Sequence, residues 1–252
     1  MKVLTFLTAG EVDPAGVQKT SAVVIDVIRA TTTIVEALAN GAQAVYPTLS
    51  TEDAIRLATS MGRDDSILCG ERKGLKVEGF DLGNSPGEFT AETVKGKRLV
   101  MSTTNGTRAF LAAQGAQRVL AGSLTNLNAV ARALEGAERV TLICAGREDR
   151  FSLDDALCAG WILRRLADGA GDGGAAAADV NGGDLELDDA SRAVLTLARS
   201  MELNEGLLRE TAAGTALAEV GLDEDLLICA QVDRHPVVPE MHDRMIRLPG
   251  SG

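Results

Sequence analysis

The chain reads as an α/β protein, a three-layer α/β/α arrangement around a largely parallel or mixed sheet. Three observations predict this. Apolar, β-branched runs alternate with helix-like patterns through residues 1–168. Aromatic residues make up only 3%, so the core must rest on Val, Leu, Ile and Ala, which suit helices laid on a parallel sheet. Three of the apolar runs stop at small polar clusters that open a helical pattern, placing hydroxyls and free N–H groups at the carboxyl end of a strand, where open α/β sheets bind anions.

The strand-like runs fall at 2–7, 21–27, 44–48, 66–69, 98–103, 118–121 and 139–144, each short, apolar and bounded by polar or glycine-containing segments. Between them, apolar spacing of three and four residues predicts helices over 32–40, 51–61, 105–114, 125–135 and 153–168. Ser50, Asn105, Thr125 and Ser152 stand where N-caps are expected, and Gly41, Gly62 and Gly115 where helices should end. Residues 169–183 are low in complexity and lack bulky apolar side chains, which predicts a flexible loop over 169–186; their glycines only loosely match a dinucleotide fingerprint and no strand precedes them. Beyond it, 188–220 reads as helical, and Leu226–Ala230 and Val237–Pro239 as short strands, so that 187–252 completes the fold begun by the 1–168 core.

A net charge of -11 disfavours long-range attraction to nucleic acid or to anionic lipid. An anionic substrate therefore needs locally gathered Arg, Lys, N–H groups or a divalent cation. The four cysteines, Cys69, Cys144, Cys158 and Cys229, form no C-x-x-C pair, which argues against a zinc knuckle or a disulfide scaffold. The apolar stretch in 1–11 is too short for a secretory core and no run is long enough to span a bilayer. The expectation is a reduced, cytoplasmic protein acting on a small anionic substrate, with no nucleic-acid or membrane partner and a homodimer as an admissible assembly.

Four segments carry chemistry. Asp26-Val-Ile-Arg-Ala-Thr-Thr-Thr33 puts a carboxylate at a strand end, where it can ligate Mg²⁺, beside Arg29, Thr31 and Thr32, which can hold phosphoryl oxygens; a buried Asp–Arg pair explains the same residues structurally. Cys69-Gly-Glu-Arg72 opens into a polar, glycine-rich stretch reaching Asp81, Asn84 and Ser85, too polar for core and suited to a binding loop. Ser102-Thr-Thr-Asn-Gly-Thr107 offers more donors than a simple cap needs, without the Lys of a nucleotide P-loop, and resembles an anion nest. Cys144 to Arg150 has the C-x-x-x-x-x-R spacing of cysteine-dependent phosphatases, but Glu148 and Asp149 would raise the thiol pKa where that mechanism needs it lowered. Asp26-Val-Ile28 lacks the second Asp of a D-x-D phosphatase signature, no R-H-G occurs, and His235 and His242 read as surface residues.

Asp26–Thr33, Cys69–Arg72, Gly79-Phe-Asp-Leu-Gly-Asn-Ser-Pro86, Thr103–Thr107, and Cys144–Gly146 with Phe151-Ser-Leu-Asp-Asp155, in that order, closely resemble the 2-phosphosulfolactate phosphatase family; the likeness resumes weakly at Cys229-Ala-Gln-Val-Asp233. The resemblance implies a three-layer α/β fold and Mg²⁺-dependent hydrolysis of 2-phospho-3-sulfolactate to sulfolactate and phosphate, a step in coenzyme M synthesis. The resulting expectation is a phosphomonoesterase with catalytic carboxylates Asp26, Glu71 and Asp81, and a Mg²⁺ shell of Asp26, Glu71 and Asp154. Arg29, Thr31, Thr32, Arg72, Asn84, Ser85, Thr103, Thr104, Asn105, Gly106 and Arg150 are its expected substrate contacts. Two alternatives stand beside it: a cysteine phosphatase using Cys144 and Arg150, and a non-catalytic binder of phosphorylated or sulfonated small acids.

Overall fold

Ser21–Ile25 shows how the layers arise. Its side chains alternate, and both sets are buried: Val23 and Ile25 join one apolar cluster, Ala22 and Val24 another. A strand covered on both faces needs a helix layer on each side, and a computed structural model, describing residues 1–168 and 185–250, has them. One layer contains Leu127–Ala133, Leu153–Asp168 and Asp189–Ser200; the other contains Ala30–Ala39 and Gly106–Ala112. Thr51–Met61 covers a smaller cluster of Ala54, Ala58, Leu68, Phe80 and Val100.

Among the described residues the sheet has eleven strands. They are β1 (Lys2–Phe6), β2 (Ser21–Ile25), β3 (Ala44–Pro47), β4 (Ser66–Arg72), β5 (Leu75–Lys76), β6 (Arg98–Ser102), β7 (Arg118–Gly122), β8 (Arg139–Cys144), β9 (Glu186–Leu187), β10 (Glu240–His242) and β11 (Met245–Arg247). Their order is β5-β4-β6-β3-β11-β10-β7-β2-β8-β1-β9. Two parallel blocks, β4-β6-β3 and β7-β2-β8-β1-β9, are joined by the C-terminal hairpin β10–β11. The hairpin pairs antiparallel with each block, through Ile246↔Val45 on one side and Glu240↔Leu120 on the other. Three antiparallel pairings in succession, β3–β11, β11–β10 and β10–β7, set the two blocks in opposite senses.

The seven main strands and five main helices lie within about two residues of the sequence expectation at most boundaries, β4 running on to Arg72. Two expectations are corrected. Asp225–Cys229 is a helix rather than a strand: Leu226 and Cys229 are fully buried while Leu227 is 52% exposed, a spacing of three that only a helix gives. Val237–Pro239 is not a strand; Pro239 instead accepts the Ala121 N–H at 2.9 Å, just before β10. Ser50 caps its helix through the Asp53 N–H, whereas the turn near Thr125 is capped by Ser123. Residues 169–184 of the expected flexible loop lie outside the described residues. Among the described residues, no helix is long and apolar enough to cross a membrane.

Candidate active site

Four loop tips meet in one cavity of about 420 Å³. Asp26 and Arg29 enter it after β2, Glu71 and the Lys73–Gly74 turn at the end of β4, Thr103, Thr104 and Asn105 after β6, and Gly146, Arg147 and Glu148 after β8. Asn84, Ser152, Asp154 and Asp155 add to the wall, which the helix Ala212–Glu219 closes with Ala213, Ala216 and Leu217.

Close contacts hold the tips together. Asp155 Oδ1 accepts the Val27 N–H at 2.9 Å and its Oδ2 the Gly146 N–H at 3.0 Å, tying the ends of β2 and β8 to the start of the helix Leu153–Asp168. Glu71 does the same elsewhere, its Oε1 accepting Thr104 N–H at 2.7 Å and its Oε2 accepting Gly74 N–H at 2.8 Å. Asn105 Oδ1 accepts the Glu148 N–H at 3.4 Å. Gly106 must lack a side chain, because a Cβ there would sit 2.8 Å from Asp26 Oδ2 and 2.6 Å from the Ala30 Cβ.

The buried floor is acidic. Asp26 is pushed up to about 7, chiefly by burial and further by Asp154 and Glu71, against the lowering effect of the Ala30 N–H and Arg29. Burial also raises Asp154, against the Ser152 hydroxyl, which donates to its Oδ1 at 2.5 Å, and against several backbone N–H groups. Asp155 is raised well above the usual carboxylate range by burial and by the charges of Asp154 and Asp26. Burial makes ionising these three carboxyls costly, and a cation placed between them would offset that cost.

Several expected contacts are relocated. Asp81 lies outside the cavity, where it pairs with Arg63 at 3.0 Å and accepts the Leu68 N–H at 2.8 Å, so it is removed from the catalytic set. Arg29 lines the cavity, yet its guanidinium is committed to Asp225 at 2.8 Å, the Gly74 carbonyl at 2.6 Å and Ser85 Oγ at 3.1 Å. Arg72 donates to the Glu71 and Ser102 carbonyls and to Ser102 Oγ, away from the cavity. Thr31 and Thr32 are fully buried and return their hydroxyls to the Asp26 and Val27 carbonyls; Ser85 is Arg29's partner. Arg150 is exposed and outside, while Arg147, across the same tight turn, lines the cavity. Asn84, Thr103, Thr104 and Asn105 are in the cavity and Gly106 abuts it through Asp26; Asn84 Oδ1 is a buried acceptor without a hydrogen-bond partner.

The expected metal shell also changes. Among the described residues, no three His, Cys, Asp or Glu side chains gather as a metal-binding group. Glu71 has each oxygen engaged by a backbone N–H. Asp26 and Asp154 remain. Mg²⁺ typically takes only one or two protein carboxylates and keeps water or phosphate oxygens for its other positions, and two hard, mutually repelling carboxylates fit that donor set.

The Cys144 alternative is overturned. Its thiol is fully buried and raised well above its ordinary value, first by burial and then by Asp155, so neither access nor a thiolate is provided. The cavity roles of Lys73 and of the helix Ala212–Glu219, which lies within the segment read as helical, were not legible in the sequence: small and aliphatic wall residues have no chemical signature, and Lys73 was one charge among several in a polar loop.

Fold and site together define a three-layer α/β enzyme with an acidic cavity built from strand-end loops. The family model described as 2-phosphosulpholactate phosphatase matches residues 6–244. A probable 2-phosphosulfolactate phosphatase of Caldanaerobacter subterraneus subsp. tengcongensis is 38% identical over 249 residues, 98% of each chain. A Symbiobacterium thermophilum protein of the same description is 42% identical over 222 residues, 86% of this chain and 89% of its own. One from Clostridium acetobutylicum is 37% identical over 241 residues, 95% of this chain and 97% of its own. The chain belongs to the 2-phosphosulpholactate phosphatase family.

Proposed function

We propose that the chain is a Mg²⁺-dependent phosphomonoesterase that hydrolyses 2-phospho-3-sulfolactate, or a closely similar phosphorylated hydroxy acid, to the free hydroxy acid and phosphate. One observation carries the reading: the buried carboxylates Asp26 and Asp154 share a cavity with Thr103, Thr104 and Asn105, in a chain of this family. An acidic floor repels a phosphate ester unless a cation lies between them, and the two aspartates are the groups to hold it.

In the reaction a water oxygen bonds to phosphorus, the ester P–O bond breaks, and the departing oxygen on C2 gains a proton to become a hydroxyl. Mg²⁺ held by Asp26 and Asp154 would neutralise phosphoryl charge. Thr103, Thr104 and Asn105 face the phosphoryl oxygens with hydroxyl and amide donors, held in place by the Glu71–Thr104 and Asn105–Glu148 bonds. Ala213, Ala216 and Leu217 contribute an apolar part of the same wall. Asp155 and Glu71 act through the backbone, keeping the tips in register.

The same reading places the product in coenzyme M synthesis and the protein in the cytoplasm, a setting that suits four buried free thiols. Phosphate release from 2-phospho-3-sulfolactate, measured with Mg²⁺ and with EDTA, tests it. Release with Mg²⁺ that EDTA abolishes, and that Asp26→Asn and Asp154→Asn each remove, is the expected result. Ligand-induced thermal stabilisation without release under any divalent cation would instead establish a binding protein.

A further inference from the structure

The substrate of the proposed reaction carries two anions besides the phosphoryl group, and the structure changes which side chains can meet them. Arg29, Arg72 and Arg150 are either committed to other groups or outside the cavity. The cavity's remaining cations are Lys73 and Arg147, and neither has an ion-pair or side-chain hydrogen-bond partner among the described residues.

Both stand on fixed mounts. The Lys73 turn, with φ of 53° at Lys73, joins β4 to β5, and Gly74 beside it is held by its N–H on Glu71 and its carbonyl on Arg29. Arg147 sits in a turn closed by reciprocal Arg147–Arg150 backbone bonds of 2.9 Å, directly after Gly146, whose N–H is pinned by Asp155. Asp26 and Asp154 are buried, whereas Arg147 is half-buried and Lys73 exposed, in a rim that also holds the exposed Glu148 and Glu219. A ligand with a phosphoryl group at the floor would point its other anions towards the mouth.

Resting on the phosphatase reading, we propose that Lys73 and Arg147 are the specificity-determining residues, together pairing with the carboxylate and sulfonate of the substrate and orienting its phosphoryl group towards Asp26 and Asp154. Arg147 offers a planar fork that matches either oxyanion with two N–H donors, and Lys73 adds a movable point charge.

The test compares kcat/KM for 2-phospho-3-sulfolactate with that for 2-phospholactate, which lacks the sulfonate, in the full chain with Mg²⁺. Wild type should prefer the sulfonated ester; Lys73→Gln and Arg147→Gln should each shrink that preference, the double variant by on the order of tenfold or more, with Arg147→Lys retaining part of it. Melting temperatures equal to wild type establish that the variants are folded, and the charge-keeping Lys73→Arg and Arg147→Lys carry the comparison if they are not. A wild type that hydrolyses both esters with no preference, or folded Gln variants that keep the wild-type ratio, overturns the assignment and leaves the phosphatase reading intact. A wild type that hydrolyses neither ester fails that reading, and this one with it.

Discussion

Glu71 and Thr104 tie two loop tips of the cavity together through a 2.7 Å bond from the Thr104 N–H to Glu71 Oε1, while the other carboxylate oxygen holds Gly74. Both acceptors are used, so the side chain works as a clamp. Glu71→Gln turns one acceptor into an NH₂ group facing an N–H donor. It should lower stability by about 1–3 kcal/mol and reduce phosphate release together, read by urea titration and activity on the same samples. Full stability with lost activity would return Glu71 to the metal shell.

Asp155 spans Val27 and Gly146 in the same manner, 128 and 9 residues away along the chain. Asp155→Asn leaves one of those two N–H groups opposite a donor inside the protein. A stability loss of about 2–3 kcal/mol is expected, with faster amide exchange at Gly146 as the local sign. Unchanged exchange there would show that the carboxylate does not hold the loop.

Asp26 gives a pH dependence whose sign follows from its displacement. The folded metal-free protein keeps the Asp26 proton up to about pH 7, against about 3.8 for an ordinary carboxyl. The unfolded chain therefore releases that proton first, and stability falls as pH rises between those values and stays lower above them. Asp26→Asn should raise the melting temperature at pH 8 in EDTA, with on the order of 4 kcal/mol as the ceiling, and change it little near pH 4. Adding Mg²⁺ should stabilise wild type and not the variant. A variant that melts lower than wild type at pH 8 in EDTA contradicts the buried-charge account.

Cys144 is enclosed beside Asp155 with no route to a substrate. Cys144→Ser should leave phosphate release within a few-fold of wild type while lowering stability by roughly 1–2 kcal/mol, as a buried hydroxyl replaces a thiol. Abolished release from a folded Ser variant would revive the thiol mechanism.

The sequence made the central elements legible because they obey strong local rules. Val23, Ile25, Leu142 and Val140 sit in β-branched or aliphatic runs with polar ends, and Ser50 marks a helix start by its side chain. The same junction logic found Asp26, Thr103 and Asn105. What it could not supply is the partner of each side chain: Arg29 meets Asp225 across 196 residues, and no local pattern distinguishes that committed guanidinium from a free one. Arg147 and Arg150 differ only in which side of a three-residue-apart turn faces inward. The strands β10 and β11, three residues each, carry too little periodicity to read, and the apolar run at Leu226–Cys229 is short enough to suit either structure until its burial is known.

The hairpin β10–β11 builds the middle of the sheet from a segment that is synthesised after every other strand among the described residues. Until residues 240–247 leave the ribosome, β3 and β7 each present a bare edge of N–H and C=O groups, the kind of edge to which foreign strands add. A nascent chain halted before Glu240 would thus be sticky at two places at once, and protease-resistance of stalled chains should appear only when residues 240–247 have emerged.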